Sequence, residues 1–135
     1  VEILRGTAEQ THPDVILAVD ALAACSIHRL NCTIQLADTG IWPGSGVGNH
    51  RNALNQETLG VPVISVGVPT VVDAQTLARD VSGRHTEKAA ADTKMMVTPK
   101  EIDLLIERCS GLLSLAVNRA LQPELSIKDL VELTN

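Results

Sequence analysis

Unbroken apolar runs constrain the fold of this chain more than any other feature. Val15–Val19 holds five apolar residues in succession. Pro62–Val68 is also mostly apolar, and part of it alternates between apolar and small or polar residues. A strand covered on both faces shows such a continuous run, whereas a strand with one wet face alternates apolar and polar residues. Helical patterns lie between and after these strands. The order predicts a single α/β domain over residues 1–135, a three-layer αβα sandwich with a mainly parallel sheet.

The pattern before residue 60 predicts further short elements. The pattern of residues 1–12 weakly predicts a helix. The pattern of Ala21–Leu30 predicts a second helix directly after the first strand. Thr33–Ala37 predicts a short strand, and a short helix is expected to end at Thr58 before Leu59-Gly60.

The pattern after residue 70 is less uniform. Residues 71–80 fit either a short helix or the end of a strand, and residues 81–95 are typical of an exposed connection. Thr98 with Glu101 three residues later predicts an N-cap and capping box for a helix that runs to about Leu121. Ser126 is the expected cap of a final helix.

Composition excludes several classes of function. The chain has 135 residues, enough for one domain with a core, with one Trp and no Phe or Tyr, so aromatic platforms for stacking bases are largely missing. A formal net charge of −5 argues against direct binding of nucleic acid. The longest apolar stretch, Val61–Val72, is interrupted by proline and glycine and does not predict a membrane helix.

The cysteines and histidines predict neither disulfides nor a metal centre. The three cysteines have no CxxC spacing, which is typical of reduced thiols in a cytosolic compartment. The four histidines are scattered, with no HExxH motif and no pair four residues apart on a helix. We therefore expect no bound metal and no cofactor.

A glycine-rich run, Thr39–Asn49, follows the predicted second strand. It lacks both the GxxxxGK[ST] and the GxGxxG spacing, so a phosphate site is weakly indicated. Ser45 has no glycines two residues to either side and is not a nucleophile elbow. A loop that lines the wall of a cleft remains open as an alternative. Its candidate lining residues are Gly44, Ser45, Gly46, Gly48 and Asn49.

Three carboxylates are candidates for chemistry. Asp20 follows the first predicted strand, where it could cap the next helix or serve as a positioned acid or base. Asp38 is typical of a turn, and Asp73 is expected to be structural or exposed. Two carboxyl groups within hydrogen-bond distance would raise the pKa of one and form a dyad that activates water.

Six blocks of the sequence resemble the germination protease family of endospore-forming bacteria. They are long, occur in the same order and cover nearly the whole chain. The blocks are Pro13–Ala24, Asn31–Gly40, Pro43–Asn49, Glu57–Ile64, Gly67–Ala74 and Val97–Asp103.

The resemblance implies an endopeptidase that degrades small acid-soluble spore proteins during germination, in the cytoplasm of the spore core. It implies a fold like that of hydrogenase-maturation proteases, synthesis as a zymogen and a homotetramer. It also implies an aspartic-type mechanism with two carboxylates and no cofactor. One of these carboxylates falls on Asp20. Asp38 and Asp73 remain possible supporting residues.

The chain also departs from the family pattern. The second catalytic carboxylate belongs to an upstream block that these residues do not contain, so we expect a C-terminal part of a longer chain, with a missing N-terminal segment as partner. The link from Asp80 to Met95 is shorter than in the family. Cys25, Trp42 and His50 replace residues that are typical of the family.

Two alternatives stay open at this point. One is a non-catalytic fragment or degenerate paralogue that serves assembly. The other is a module on the same fold that binds a small ligand or a metal such as nickel.

Overall fold

The structure is a computed structural model that describes residues 1–45, 52–83 and 95–134. The chain forms two compact units, Val1–Pro99 and Lys100–Asn135. Of the connection predicted at 81–95, Val81–Gly83 and Met95 are exposed, and the residues between them lie outside the described part.

The first unit contains a four-stranded sheet and three α-helices in its described residues. The predicted helices at the N-terminus and before Gly60 are both present. In chain order the elements are α1 (Glu2–Thr11), β1 (Ile16–Ala24), a 3₁₀ turn (Ile27–Arg29), β2 (Gln35–Ala37), α2 (Gln56–Leu59), β3 (Val63–Asp73), α3 (Ala74–Ser82) and β4 (Met96–Val97).

The sheet is mixed, so its prediction as mainly parallel is only partly right. The strand order is β1-β3-β2, and β4 also pairs with β3. Only the β1–β3 pairing is parallel, whereas β2 and β4 run antiparallel to β3. The reversal between β2 and β3 follows from a loop that doubles back through an antiparallel bridge between Ile41 and Leu54. The α/β class is confirmed.

β3 is the central strand and supplies most of the core of this unit. Its residues Val63 and Val72 are 1% and 0% exposed, and Val66 and Val68 are also buried. These aliphatic side chains account for the apolar run Pro62–Val68, because β3 has strands on both sides. Leu59 of α2 joins the same core.

The run Val15–Val19 predicts a strand covered on both faces, and this prediction is wrong. Most of the run lies in β1, where Leu17 and Val19 are 41% and 58% exposed. The reason is position in the sheet, because β3 is the one described strand that pairs with β1, whereas β3 itself lies between other strands.

The predicted helix over Ala21–Leu30 is wrong. β1 continues to Ala24, paired with β3 as far as Val72 with an irregularity between Leu22 and Ala23. Only Ile27–Arg29 forms a helical turn. The reason is that β3 extends well past Val68, so continued pairing gives each added β1 residue hydrogen-bond partners that outweigh the helix propensity of Ala and Leu.

Asp73 marks the passage from strand to helix. The sequence of residues 71–80 fits either a short helix or the end of a strand, and the structure shows both. β3 ends at Asp73, and α3 follows directly. The Asp73 carboxylate accepts hydrogen bonds from the backbone N–H groups of Gln75 at 2.8 Å and Thr76 at 3.3 Å. It is therefore the N-cap of α3.

The predicted capping role of Thr98 is also wrong. Its hydroxyl group donates a 2.9 Å hydrogen bond to the backbone carbonyl of Thr70 on β3. The residue before α4 is Glu101, and its side chain makes no capping hydrogen bond. The Thr98 side chain therefore stabilises the C-terminal end of the first unit against the sheet. It can do so because β4, which pairs with β3, places the Thr98 hydroxyl beside β3.

The second unit is a pair of helices, α4 (Ile102–Leu121) and α5 (Ile127–Thr134), which pack against each other. The predicted end of α4 and the predicted cap of α5 are confirmed. The backbone N–H of Asp129 donates to the Ser126 hydroxyl at 3.2 Å, and the backbone N–H of Ser126 donates to the Asp129 carboxylate at 3.0 Å, which closes a capping box. None of the described helices has the length and apolar character needed to cross a membrane.

Candidate active site

Asp20 lies within β1 and not after it. In the ladder it pairs with Gly67 of β3, which pairs in turn with Gln35 of β2. The three residues form one row across the sheet. The interpretation of Asp20 as the cap of a following helix is therefore wrong, because the chain remains extended on both sides of it.

The Asp20 carboxylate is half-buried and makes one local hydrogen bond. Its Oδ1 atom accepts from the backbone N–H of Ala21 at 2.9 Å. This bond fixes one oxygen of the carboxylate, and the second oxygen has no hydrogen-bond partner among the described residues. A carboxylate held in this way can accept or release a proton at its second oxygen.

A cleft of about 370 Å³ opens beside this carboxylate, and we call it the Asp20 cleft. Residues of α1, β1, α2 and the glycine-rich run line it, and nearly all of them are apolar. Asp20 is the one carboxylate among the described residues of its lining. The lining residues are Leu4, Ile16, Leu17, Ala18, Val19, Asp20, Ile41, Pro43, Leu54 and Leu59.

A second cleft of about 270 Å³ lies at the other end of the Asp20–Gly67–Gln35 row. Leu22, Gln35 and Gly67 line it, together with Trp42 and Ser45 of the glycine-rich run. We call it the Gln35 cleft. Ile41 borders this cleft and the Asp20 cleft alike, so the run lies beside both.

The glycine-rich run is positioned by a backbone bridge. The N–H of Ile41 donates to the Leu54 carbonyl at 2.9 Å, and the N–H of Leu54 donates to the Ile41 carbonyl at 2.8 Å. Gly40 precedes the bridge with a φ of 81°, and a Cβ there would collide with the backbone of Leu54 and Asn55. Only glycine allows this close approach.

The structure brings some of the predicted site residues together and separates others. Ser45 lines the Gln35 cleft, next to Gly44 with its φ of 76°. Asp38 is exposed and lines neither cleft, and Asp73 is occupied as the cap of α3. The remaining candidates of the run lie outside the described residues, namely Gly46, Gly48 and Asn49.

Two residues of the row, Gln35 and Gly67, were not predicted as site residues from the sequence. Nothing in the sequence distinguishes Gln35, because a polar residue in a short strand is ordinary. Gly67 could have been noticed, because a glycine inside an apolar strand often indicates that another group approaches the backbone closely. Leu22 makes that approach, and its side chain fills the space beside Gly67.

Asp80 shows a shifted pKa, at the far end of β1 from this site. The backbone N–H of Ile27, which donates to Oδ2 at 2.9 Å, holds the pKa of the Asp80 carboxyl below its ordinary value. Hydrogen bonds from Ser26 and Arg79 act in the same direction. Asp80 therefore ties α3 to the 3₁₀ turn that follows β1, which is a structural role.

The described ranges contain no group of three or more His, Cys, Asp or Glu side chains arranged to hold a metal ion. The lining of the Asp20 cleft offers one carboxylate in apolar surroundings. Such a group can serve as one half of an acid–base pair, and the other half would have to come from elsewhere.

Several known proteases are similar to this chain in sequence. The family model for germination proteases matches residues 1–83. A germination protease of Clostridium acetobutylicum is 42% identical over 165 residues, which cover 99% of this chain and 50% of that protein. One from Caldanaerobacter subterraneus is 40% identical and covers 98% of this chain and 50% of that protein. One from Bacillus subtilis is 61% identical over 79 residues, 58% of this chain and 22% of its own length.

The alignment with the Clostridium acetobutylicum protein extends over 165 residues, whereas this chain has 135. The chain spans about half the length of the curated relatives that it matches along nearly all of its own length. The matched family region contains β1, β2, β3 and the glycine-rich run, and thereby Asp20 and both clefts. This chain belongs to the germination protease family.

Proposed function

We propose that this chain forms part of an endopeptidase that degrades small acid-soluble spore proteins during germination, with Asp20 as one of two catalytic carboxylates. The observation that carries the proposal is the Asp20 carboxylate at an apolar cleft bordered by the glycine-rich run. Membership of the germination protease family supports the peptidase activity. The carboxylate and the cleft are the parts of an aspartic-type site that this chain supplies.

In this mechanism Asp20 and its partner carboxyl share one proton. The ionised carboxylate removes a proton from a water molecule, and the resulting hydroxide attacks the carbonyl carbon of the scissile peptide. The protonated carboxyl donates its proton to the carbonyl oxygen, which avoids a free oxyanion. The tetrahedral intermediate then collapses. The C–N bond breaks as the proton taken from water passes to the leaving amine. At the same time the carboxylate that gave up its proton takes one back from a hydroxyl group of the intermediate, which forms the C=O bond of the new carboxyl product and restores the shared proton of the pair.

The partner carboxylate belongs to a segment outside this chain. Asp20 is the one carboxylate among the described residues that line its cleft, and the relatives are about twice as long as this chain. The family resemblance extends the proposal to a layered fold like that of hydrogenase-maturation proteases, synthesis as a zymogen, a homotetramer and a location in the spore core.

The decisive variant is Asp20→Asn. The amide oxygen of Asn can still accept the N–H of Ala21, so the fold is retained, whereas Asn cannot remove a proton from water. We expect cleavage of small acid-soluble spore proteins to fall at least about 100-fold, the usual contribution of a general acid–base group. The assay uses this chain mixed with the part of the Clostridium acetobutylicum protease that it does not match.

The matched control is Asp14→Asn, which removes an exposed carboxylate just before β1. It should leave cleavage unchanged. Undiminished cleavage by the Asp20→Asn protein, with its unfolding midpoint unaltered, would show that another group activates the water.

A non-catalytic role in assembly is the second candidate, because the Asp20 cleft holds one carboxylate among its described residues. It predicts that the wild-type mixture binds but cleaves none of these spore proteins. The same assay therefore separates the two functions.

A further inference from the structure

The Gln35 cleft lies on the same face of the sheet as Asp20. Residues that pair in a ladder direct their side chains to one face, so Asp20 and Gln35 share a face on either side of Gly67. Leu22, two residues after Asp20 in β1, shares it too, and its side chain lies over Gly67. The cleft of about 270 Å³ therefore neighbours the candidate catalytic carboxylate on a common surface.

The lining of the Gln35 cleft is suited to an uncharged ligand group. Among the described residues, no charged side chain lines it. Leu22 and Ile41 give it apolar walls, and so does Trp42, the single aromatic residue of the chain, which is 54% exposed. A charged group in this cleft would lose hydration without meeting an opposite charge, whereas an apolar group would cover the exposed indole.

Two neutral polar side chains at the cleft are available to a ligand. The Gln35 amide and the Ser45 hydroxyl have no hydrogen-bond partner among the described residues. An amide both donates and accepts, which matches the N–H and C=O groups of an extended peptide. The third polar group is already occupied, since the Ser65 hydroxyl donates to the Ala37 carbonyl at 3.2 Å and thereby joins β3 to β2. The protein thus fixes the floor of the cleft itself.

One extended peptide can reach both clefts, which share Ile41 in their linings. Neighbouring strands lie about 4.8 Å apart, so Asp20 on β1 and Gln35 on β2, two strands away, are separated by about 10 Å. An extended chain covers this distance with about three residues. A peptide whose scissile bond lies at Asp20 would therefore bring a more distant side chain to the Gln35 cleft.

We propose that the Gln35 cleft is a specificity site for the peptide substrate and accepts a large uncharged side chain about three residues from the scissile bond. Leu22 and Trp42 contact this side chain, and Gln35 binds the peptide backbone beside it. The distance from the scissile bond rests on the proposed function, whereas binding of the uncharged side chain does not.

The first test measures peptide binding to this chain through the fluorescence of Trp42, its single tryptophan. The probes are short peptides of Ala, Ser and Gly that carry one Leu, one Asp or one Lys. We expect the Leu peptide to shift the emission to shorter wavelength and to bind at least about tenfold more tightly than the two charged peptides. No binding, equal affinities or an unchanged emission on binding would each overturn the proposal.

A variant that fills the cleft locates the bound side chain. Ala37 lines the Gln35 cleft and not the Asp20 cleft, so Ala37→Leu should weaken binding of the Leu peptide at least about tenfold. Ala78→Leu makes the same addition at an exposed position of α3 that lines neither cleft, and it should bind like wild type. Undiminished binding by a correctly folded Ala37→Leu protein would place the peptide elsewhere and contradict the proposal.

A charge at the cleft provides a readout that a merely structural role of Gln35 would not change. Gln35→Glu alters an exposed residue and adds a negative charge to the lining, so the Lys peptide should bind at least about threefold more tightly than it binds wild type. Calorimetry measures this affinity and does not depend on Trp42. The variant also serves if Ala37→Leu lowers the unfolding midpoint. An unchanged affinity for the Lys peptide would count against a side chain bound beside Gln35.

Cleavage separates this inference from the proposed function. When this chain is mixed with the unmatched part of the Clostridium acetobutylicum protease, we expect the Leu peptides to be cut at a constant distance of about three residues from the leucine, as mass spectrometry of the products would show. Cleavage at positions unrelated to the leucine would overturn the specificity site while the proposed function stands. Leu-selective binding in a mixture that cleaves nothing would support the site while the proposed function fails.

Discussion

The side chain of Leu22 on β1 lies over Gly67 on β3, in the space that a Cβ at position 67 would occupy. Gly67 also pairs with Asp20 in the ladder. The contact therefore joins the packing of the sheet to the position of the candidate catalytic carboxylate, and a side chain at position 67 would disturb both.

Gly67→Ala should destabilise the protein by about 1–3 kcal/mol, the usual cost of added volume in a packed site. An ideal Cβ at this position lies 2.6 Å from Cγ of Leu22, so the leucine would have to move. Denaturant unfolding measures the loss. Adding Leu22→Ala to Gly67→Ala should recover part of it, and Gly6→Ala in α1, where a Cβ meets nothing within 4 Å, should be neutral or stabilising. Equal stability of the Gly67→Ala and wild-type proteins would contradict the contact.

Gly40→Ala should cost more than Gly60→Ala, although both glycines have positive φ, 81° and 76°. At Gly60 the added Cβ meets open space, so only the backbone strain remains, about 1 kcal/mol. At Gly40 the Cβ meets the Leu54 carbonyl and Asn55, and we expect about 3 kcal/mol in total. Unfolding in urea compares the two variants. Similar losses for both would mean that the bridge between the glycine-rich run and residue 54 adapts to the methyl group.

Asp73→Ala should lower stability by about 1 kcal/mol, because the N-terminal N–H groups of α3 lose their acceptor. Asp73→Ser should restore most of this loss, since a serine hydroxyl also caps helices. Thermal unfolding of the three proteins measures the effect. A serine variant as unstable as the alanine variant would assign Asp73 a role other than capping.

Asp80 gives the protein a pH-dependent contribution to stability. Its pKa is lowered in the folded state from an ordinary 3.8, chiefly by the N–H of Ile27. A carboxyl with a lowered folded pKa stabilises the protein fully above its unfolded pKa, and this contribution disappears as the pH falls through the folded pKa. Asp80→Asn should therefore be less stable than wild type at pH 7, and the difference should shrink below about pH 4.

Urea midpoints of both proteins across the acid range measure this change. Asp129, whose pKa is also lowered through hydrogen bonds from Ser126, is present in both proteins and does not affect the difference. A gap between the two proteins that stays constant from pH 7 to below pH 3 would mean that the charge of Asp80 does not matter.

Local chemistry made several elements predictable from the sequence. Gly60, with its positive φ, ends α2, and the Ser126 hydroxyl caps α5 by accepting the backbone N–H of Asp129. The apolar run Pro62–Val68 predicts a strand with buried residues, and Val63, Val66 and Val68 of β3 are buried. These features depend on residues that are close together in the chain, so the local sequence pattern is enough to predict them.

The candidate site could be predicted only in part. The family blocks pointed to Asp20, but its place inside β1 depends on pairing with residues more than 40 positions away on β3. The Thr98 hydroxyl similarly donates to the Thr70 carbonyl on β3 and does not cap α4, because the pairing of β4 with β3 brings Thr98 close to that carbonyl. Long-range hydrogen bonds of this kind override local propensity.

The amino-acid order by itself determined the family, the α/β class, the buried character of the strand after Gly60 and the identity of the candidate acid. Only the tertiary structure decided that the sheet is mixed, that Asp20 stands in a row with Gly67 and Gln35, and that it lines an apolar cleft. The physical reason is that strand direction and register are fixed by hydrogen bonds between distant segments, which leave no local trace in the sequence.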